Sequence, residues 1–334
     1  MSDNPPLAAS IIFEHIYAHI PIPNPSTSKT SSPLFVALQG PQGSGKTFLT
    51  EHVKNLLSLE TERHPAFRVA TLSIDDLYLP HANLKELASA NPKNALLRGR
   101  GQPGTHDIEL GLSLLHSLKE INLTQGDNVR IPRFDKSLFD GEGDRLPECE
   151  WTFVQGPLDV VLLEGWCVGF YPQWSQYIEQ RINEVPLGLE EVFNLSVHSL
   201  EHILDINQRL ADYTKWWDLF DIFVQIAPPN ESPYVHIYKW RLQQEHAMMA
   251  SNGGKGMTDE QVKKFIDRYI PGYHFFGSGV VAGGYDQQTG LQLDPPWLRE
   301  EGPLRFPMAP EATRCLRITI DENRTVSEVA YCRR

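Results

Sequence analysis

The sequence has little of what a secreted, membrane-bound or nucleic-acid-binding protein needs. Its four cysteines form no C-x-x-C pair or other metal-ligand spacing, which favours a reducing compartment over secretion. It has no apolar run of 18 residues, and its first residues lack the basic start of a signal peptide. Acidic residues outnumber basic ones by 42 to 30, and this net charge of −12 argues against a nucleic-acid surface. We therefore predict a cytoplasmic protein without a membrane or nucleic-acid partner.

What is present indicates an α/β fold. The 334 residues are 41% hydrophobic and 22% charged, as in ordinary globular proteins, and they suffice for one large domain with additions or two smaller ones. From Leu34 onwards, short apolar runs alternate with amphipathic helical patterns. This alternation predicts a mostly parallel sheet with helices on both faces. The predicted strands are 34–38, 67–74, 159–165 and 219–226.

Composition divides the chain into four parts. Residues 1–31 combine a short helical pattern with a Pro- and Ser-rich linker, and 32–276 carry the strand–helix alternation. Residues 277–310 are rich in Gly and Pro without a clear period, which predicts a long surface insertion. Residues 311–334 read as a C-terminal β-hairpin packing on the main domain.

One motif carries the strongest chemical signal. It follows G-x-x-x-x-G-K-[ST] and lies directly between an apolar strand and an amphipathic helix, as a phosphate-binding loop requires. Its glycines allow backbone N–H groups to face phosphates, and the helix directs its positive end at them. The motif predicts binding of the triphosphate of ATP or a close relative by Gly40, Pro41, Gln42, Gly43, Ser44, Gly45, Lys46 and Thr47. In such loops the lysine bridges the β- and γ-phosphates and the threonine hydroxyl binds Mg²⁺.

Carboxylates follow two further predicted strands. Asp75 and Asp76 end the strand 67–74, and Glu164 ends the strand 159–165. Ligands of open α/β sheets bind beyond the carboxyl ends of the strands. Phosphoryl transfer needs one carboxylate to take the acceptor's proton and another to hold Mg²⁺ or its waters. The Asp pair also suits a turn or a helix cap, whereas an acid directly after VVLL is costly to bury without a partner.

Three basic segments are candidates for the acceptor side and for a lid over the phosphates. The first is the glycine-spaced loop from Arg98 to Asp107, the second the polar loop 132–145, and the third the helical segment 238–241. Cations there would stabilise a transferring phosphoryl group or an anionic acceptor. A single exposed arginine is more often a solvated surface residue, and His106 would equally cap the following helix.

These segments, taken together, resemble the P-loop small-molecule kinases related to phosphoribulokinase, uridine kinase and bacterial pantothenate kinase. Within them the chain is most similar to the D-glycerate 3-kinases of plants and fungi and a related yeast ATP-dependent kinase. The resemblance covers roughly 34–276. The segments that carry it, in the family's order, are GPQGSGKT, SIDDLYLP, RGRGQPGTHD, IPRFDKSLFDGEGDR, VVLLEGWCVGF, DLFDIFVQIAP, YKWRLQQEHAMM and GMTDEQVKKFIDRYIPGY.

The resemblance implies roles for individual residues. Asp75 takes the position of the catalytic base, with Asp76 beside it as an alternative, and Glu164 takes that of the Mg²⁺-linked acid. Arg241 falls where related kinases carry a lid arginine. The implied substrate residues are Arg98, Arg100, His106, Asp107 and Arg133.

The implied activity is ATP- and Mg²⁺-dependent phosphorylation of a small hydroxyl acceptor, with D-glycerate first. Two alternatives stay open: a kinase for another hydroxyl acceptor, for example in specialised metabolism, and a nucleotide-binding protein without kinase activity. The N-K-x-D motif of GTPases and the S-G-G-Q signature of transporter ATPases are absent. The lid segment also has fewer cations than the arginine-rich lids of nucleoside kinases, which weighs against a uridine kinase.

Overall fold

The computed structural model describes residues 5–21, 32–123, 128–184, 186, 188, 189, 195, 198–251, 253–299 and 313–333. Most of the predicted linker in 1–31, and residues 300–310 of the predicted insertion, lie outside the described residues. Within the described part of the chain, no helix is long and apolar enough to cross a bilayer.

The strands and helices follow in chain order. The strands are β1 Leu34–Gln39, β2 Val69–Ser73, β3 Asn128–Ile131, β4 Phe134–Asp135, β5 Asp144–Arg145, β6 Thr152–Gln155, β7 Val160–Gly165, β8 Ile222–Ala227, β9 Gly284–Tyr285, β10 Gln292–Leu293, β11 Cys315–Ile320 and β12 Val326–Cys332. The helices are α1 Leu7–His19, α2 Lys46–Ser58, α3 His81–Ala90, α4 Ile108–Glu120, α5 Ser175–Arg181, α6 Leu200–Leu210, α7 Thr214–Trp217, α8 Pro233–Ser251, α9 Asp259–Asp267, α10 Ile270–Phe276 and α11 Gly279–Ala282.

The main sheet has six strands in the order β12-β11-β8-β1-β7-β2. All neighbouring pairs are parallel except β11 with β12, which form the predicted C-terminal hairpin. The carboxyl ends of β1, β2, β7, β8 and β11 therefore lie at one edge of the sheet. The predicted α/β fold with a mostly parallel sheet is confirmed.

Helices cover both faces of the sheet, which explains why β1 and β7 are buried along their whole length. On one face Val36 and Leu38 pack with helices α1 and α2, and on the other Phe35 and Ala37 join the larger core. Helix α1, from the part of the chain that we separated from the main domain, is thus an integral layer of the fold. Its Ile12 and Ile16 have no exposed surface.

The described part of the Gly- and Pro-rich segment 277–310 also contributes to the core. Trp297 is 1% exposed, and its ring centroid lies 4.3 Å from that of Phe223 on β8. Its indole N–H donates to the Val280 carbonyl oxygen at 2.9 Å. The prediction of a surface insertion is therefore incomplete, because one aromatic anchor without periodicity is enough to bury such a segment.

Three small antiparallel ribbons stand outside the main sheet in the described part of the chain. Strand β3 pairs with β6, β4 with β5, and β9 with β10. The second ribbon belongs to the polar loop 132–145, in which we predicted no strands. It holds the start of that loop close to the end of β2.

Candidate active site

The phosphate loop connects β1 to α2 as predicted. Gly43 and Gly45 have φ angles of 77° and 88°, in the left-handed region that favours glycine. The Ser44 hydroxyl donates to the Pro41 carbonyl oxygen at 2.8 Å, and Lys46 Nζ donates to the same oxygen at 3.1 Å. The loop is thereby held in the form that directs the N-terminus of α2 at an anion.

Two segments that are distant in sequence contact this loop. A Cβ atom on Gly43 would lie 2.5 Å from the carbonyl carbon of Trp240 and 2.6 Å from the amide nitrogen of Arg241, so α8 crosses the loop in direct backbone contact. Arg324, from the turn between β11 and β12, donates from Nε to the Gly43 carbonyl oxygen at 2.7 Å. The loop is consequently coupled to the predicted lid helix and to the C-terminal hairpin.

The two predicted Mg²⁺ ligands lie together. The Thr47 hydroxyl donates to Glu164 Oε1 at 3.0 Å, and Glu164, at the end of β7, is only 6% exposed. No cluster of three or more His, Cys, Asp or Glu side chains suited to a metal occurs among the described residues. One hydroxyl and one carboxylate fit Mg²⁺, which keeps most of its waters and binds substrate phosphates.

Charged side chains meet at the ends of β1, β2 and β7. Lys136 forms a hydrogen-bonded ion pair with Asp75. Burial alone would raise the pKa of Asp75, but the Lys136 ammonium group, helped by Lys46, lowers it from 3.8 to about 2. Burial lowers the pKa of Lys46, against the attraction of Glu164 and Asp75. The site thus holds an ionised carboxylate among cations, with 29% of the Asp75 side chain exposed.

Asp76 has a different environment from its neighbour. Its Oδ1 accepts the backbone N–H of Phe134 at 3.0 Å, which ties the end of β2 to strand β4. Burial and the nearby Asp75 charge raise the pKa of Asp76, against that hydrogen bond. Asp76 therefore positions the loop that delivers Lys136 to Asp75.

His106 is buried beside this cluster. Its ring stacks on Tyr78 with 4.3 Å between centroids, and burial lowers its pKa to about 3, so it is neutral. The Tyr213 hydroxyl accepts from the Gly104 N–H at 2.8 Å and lies 2.7 Å from His106 Nδ1. That contact uses Nδ1. The other ring nitrogen, Nε2, is buried without a partner among the described residues, so it is available to hydrogen-bond a ligand.

Asp107 is held by the protein on both carboxylate oxygens. Oδ1 accepts the Leu110 N–H at 3.1 Å, so Asp107 rather than His106 caps α4. Oδ2 accepts from Arg145 Nη1 at 3.0 Å, and Arg145 also donates to the Tyr78 carbonyl oxygen at 2.7 Å. The cap and the ion pair occupy one acceptor site on each oxygen, and a role of Asp107 in substrate binding stays a prediction.

The three predicted substrate arginines do not converge on one point. Arg98 is exposed and donates to the Pro92 carbonyl oxygen at 3.0 Å. Arg100 donates to the carbonyl oxygens of Gly141, at 2.7 Å, and Glu142. Arg133 is exposed in the loop before β4. Of the three, Arg100 alone donates from its side chain to the segment between β4 and β5, which also carries Lys136.

The predicted lid arginine is engaged within its own helix. Arg241 Nη2 lies 2.6 Å from Glu245 Oε2, and Glu245 is almost fully buried while its other oxygen accepts the Met257 N–H at 2.7 Å. The Arg241 guanidinium also lies 5.4 Å from the centroid of the Phe265 ring. To reach a phosphoryl group, Arg241 would first have to break its ion pair with Glu245.

Sequence reasoning did not single out three residues that the structure brings to the site. Lys136 was visible only as one member of a polar loop, and Arg145 as another. Arg324 lies 281 residues from the loop carbonyl that it contacts, and nothing in its local sequence signals that contact.

Comparison with known proteins decides the family. No protein-family model matches the chain. It is 37% identical over 254 residues to the probable ATP-dependent kinase TDA10 of Saccharomyces cerevisiae, covering 75% of this chain and 79% of that protein. It is 35% identical over 266 residues, 78% of this chain, to the chloroplastic D-glycerate 3-kinase of Arabidopsis thaliana. The match spans about half, 52%, of that plant protein's length. The chain belongs to this family of ATP-dependent kinases.

A solved structure from the same family agrees. The D-glycerate 3-kinase of Cryptococcus neoformans is 37% identical, with a TM-score of 0.76 over 97% of both chains. These comparisons confirm the resemblance inferred from the order of the sequence segments. They also confirm the prediction of a P-loop kinase fold. The roles of individual residues remain predictions.

Proposed function

We propose that this chain transfers the γ-phosphoryl group of ATP to a hydroxyl of D-glycerate, giving 3-phosphoglycerate. The cluster of Lys46, Asp75, Lys136 and Glu164 beside the phosphate loop carries the kinase part of the proposal. Its charges are those that phosphoryl transfer needs, an ionised carboxylate next to cations and an acid beside the loop threonine. The named relatives support glycerate as the acceptor.

In this proposal the residues divide the work. Thr47 and Glu164 would hold the Mg²⁺ of the bound nucleotide, which would offset negative charge on its phosphates. Asp75 orients the acceptor hydroxyl and takes its proton, while Lys136 keeps Asp75 ionised. Lys46 stabilises negative charge on the phosphates, and Arg241 joins it if it leaves Glu245. His106 Nε2, buried and without a protein partner among the described residues, is available to a polar group of the acceptor, whereas Arg100 would first have to release the carbonyl oxygens of Gly141 and Glu142.

We also propose that the protein is located in the cytoplasm. The four cysteines are free, including Cys315 and Cys332, which are paired in register across the hairpin. Adjacent thiols of this kind support a reducing compartment such as the cytoplasm.

The activity is tested by measuring ADP release with D-glycerate and with a panel of other small alcohols. We expect turnover with D-glycerate. Turnover with another alcohol alone would replace the acceptor but keep the kinase, and ATP binding without turnover on any acceptor would refute the kinase.

The identity of the base is tested with Asp75→Asn and Asp76→Asn. Asp75→Asn should leave ATP affinity nearly unchanged and lower kcat by about 10² or more. Asp76→Asn is a matched control, because asparagine retains an acceptor for the Phe134 N–H. A larger loss in the Asp76 variant would reverse the assignment.

A further inference from the structure

Arg268 and Tyr269 lie between helices α9 and α10 and contact the glycine-spaced loop that precedes α4. Arg268 Nη2 donates to the Arg100 carbonyl oxygen at 3.0 Å, and the Gln102 side-chain amide donates to the Arg268 carbonyl oxygen. A Cβ atom on Gly101 would lie 3.0 Å from the Tyr269 hydroxyl oxygen and 3.7 Å from Arg268 Nη2. Two residues to which the sequence pattern assigned no role are therefore held against a predicted acceptor loop.

Arg268 is a half-buried cation without a counter-charge. No carboxylate of the described residues forms an ion pair with it, and the neighbouring Asp267 pairs with Lys263 at 2.9 Å instead. The Arg268 Nε atom is buried and has no hydrogen-bond partner among the described residues. Because an unpaired buried donor of a charged group is costly, this guanidinium favours an anion that brings hydrogen-bond acceptors to it.

The ring of Tyr269 is buried, but its hydroxyl is available. The residue is 4% exposed, and its ring packs edge-on against Trp166 with 4.8 Å between centroids. The hydroxyl has no hydrogen-bond partner in the described part of the chain, and it is not one of the unpaired side-chain atoms that are closed off from solvent. Burial raises the pKa of Tyr269, so the hydroxyl keeps its proton and can donate it to a ligand.

Charged groups surround this hydroxyl. Arg268 opposes the effect of burial on the Tyr269 pKa most strongly, and Arg100 and Lys136 act in the same direction. Asp75 acts in the opposite direction. Charges act on a titrating group in this way only when they lie near it. Since Lys136 is already paired with Asp75, the two arginines leave an excess of positive charge beside the proposed base. That excess suits a ligand that has an anionic group close to its reacting hydroxyl.

Helix α10 relates this hydroxyl to the phosphate loop. The Tyr273 hydroxyl oxygen, four residues after Tyr269, accepts the backbone N–H of Gln42 in the phosphate loop at 3.2 Å. Four residues of α-helix span about 6 Å, so Tyr269 lies one helical turn beyond the contact with the loop. That separation suits a small hydroxy acid whose hydroxyl lies at Asp75 and whose carboxylate lies at Tyr269.

We propose that Arg268 and Tyr269 bind the carboxylate of the hydroxy-acid acceptor while its reacting hydroxyl lies at Asp75. The inference rests on the proposed function and names the residues that would distinguish glycerate from an uncharged alcohol. Arg268 supplies a positive charge with directional donors, and Tyr269 supplies a neutral donor. With the carboxylate bound there, Arg98 and Arg133 need not converge on the acceptor.

The test separates the acceptor from the nucleotide. The KM for D-glycerate and the KM for ATP are measured by ADP release for the wild-type chain, Arg268→Met and Tyr269→Phe. Lys264→Gln is the matched control, because Lys264 is a cation on the adjoining helix α9 that pairs with Glu260 at the surface, at 2.8 Å. Glycerol, in which a hydroxymethyl group replaces the carboxylate, is the uncharged probe.

Arg268→Met and Tyr269→Phe should each raise the KM for D-glycerate about tenfold or more, because each loses a hydrogen bond to a charged group. The KM for ATP should stay within about twofold, and Lys264→Gln should change neither value. Where the wild type phosphorylates glycerol, both variants should do so with kcat/KM within about threefold, since glycerol has no carboxylate to lose. The two KM values for D-glycerate and ATP decide the matter if glycerol is not a substrate.

The proposal is overturned if either folded variant keeps the wild-type KM for D-glycerate. It is also overturned if the KM for ATP rises by the same factor, because the two residues would then serve the phosphates or the fold. Tyr269→Phe keeps the ring and its packing on Trp166, so it decides the matter even if Arg268→Met does not fold. Wild-type protein that did not phosphorylate D-glycerate would instead refute the proposed function.

Discussion

Replacing Lys136 should move the pH dependence of the reaction. Lys136 is the main group that lowers the pKa of Asp75, against burial, to about 2. An adjacent opposite charge lowers a carboxyl pKa by about 1–3 units, so Lys136→Met should raise the pKa of Asp75 to about 3–5. At the upper end, about half of the molecules would carry a protonated Asp75 at pH 5, against about one in a thousand in the wild type. Because only the carboxylate can take a proton, activity should be lost at a higher pH than in the wild type.

The assay is kcat/KM for the acceptor at saturating ATP, from pH 8 down to the lowest pH at which the fold is retained by circular dichroism. Ionisations of the substrates are common to all variants, so a difference between normalised profiles reports the protein. Lys136→Arg keeps the charge and should keep the wild-type profile. Arg133→Gln, an exposed cation in the same loop, serves as the second control. Superimposable profiles for Lys136→Met and the wild type would refute the reasoning, even if the rate at neutral pH fell.

Two further predictions concern stability. Asp107→Ala removes the cap of α4 and leaves Arg145 without its carboxylate, so the free energy of unfolding measured with urea should fall by about 2–4 kcal/mol. Asp107→Asn should keep the cap and lose less stability. Equal losses in the two variants would show that the cap contributes nothing. Gly43→Ala should be less stable than Gly253→Ala by about 1–3 kcal/mol, because both glycines have similar positive φ angles but only Gly43 lies against the backbone of α8. Thermal unfolding would measure that difference, and equal losses would mean that the helix moves aside freely.

The main sheet and the phosphate loop were predictable because their signals are local. β1, β7 and β8 are short runs of apolar residues, and the loop motif stands between a strand and a helix. Thr258 and Gln261 likewise predict the start of α9, and the structure has both hydrogen bonds of the capping box there. These features follow from neighbouring residues alone.

The acceptor side was harder to predict because its contacts are long-range. The ion pair between Asp75 and Lys136 joins residues 61 apart and depends on the two-residue strands β4 and β5, which are too short to leave a periodic pattern. Asp107 fitted a substrate role in the sequence, yet its oxygens serve a helix cap and Arg145. The family resemblance gave the order of the segments, but it does not say which polar side chains make contacts within the protein and which are left for the substrate.

The contact between Gly43 and α8 has a consequence for how this sequence can vary. The phosphate-loop motif leaves position 43 open to any residue. Here a helix nearly 200 residues later occupies the space that a side chain would need. Homologues that keep this crossing should retain glycine at the position, and those that lose the glycine should show a compensating change near Trp240. A loop redesigned with a side chain at position 43 would disrupt the lid helix, even though every residue that the motif specifies was retained.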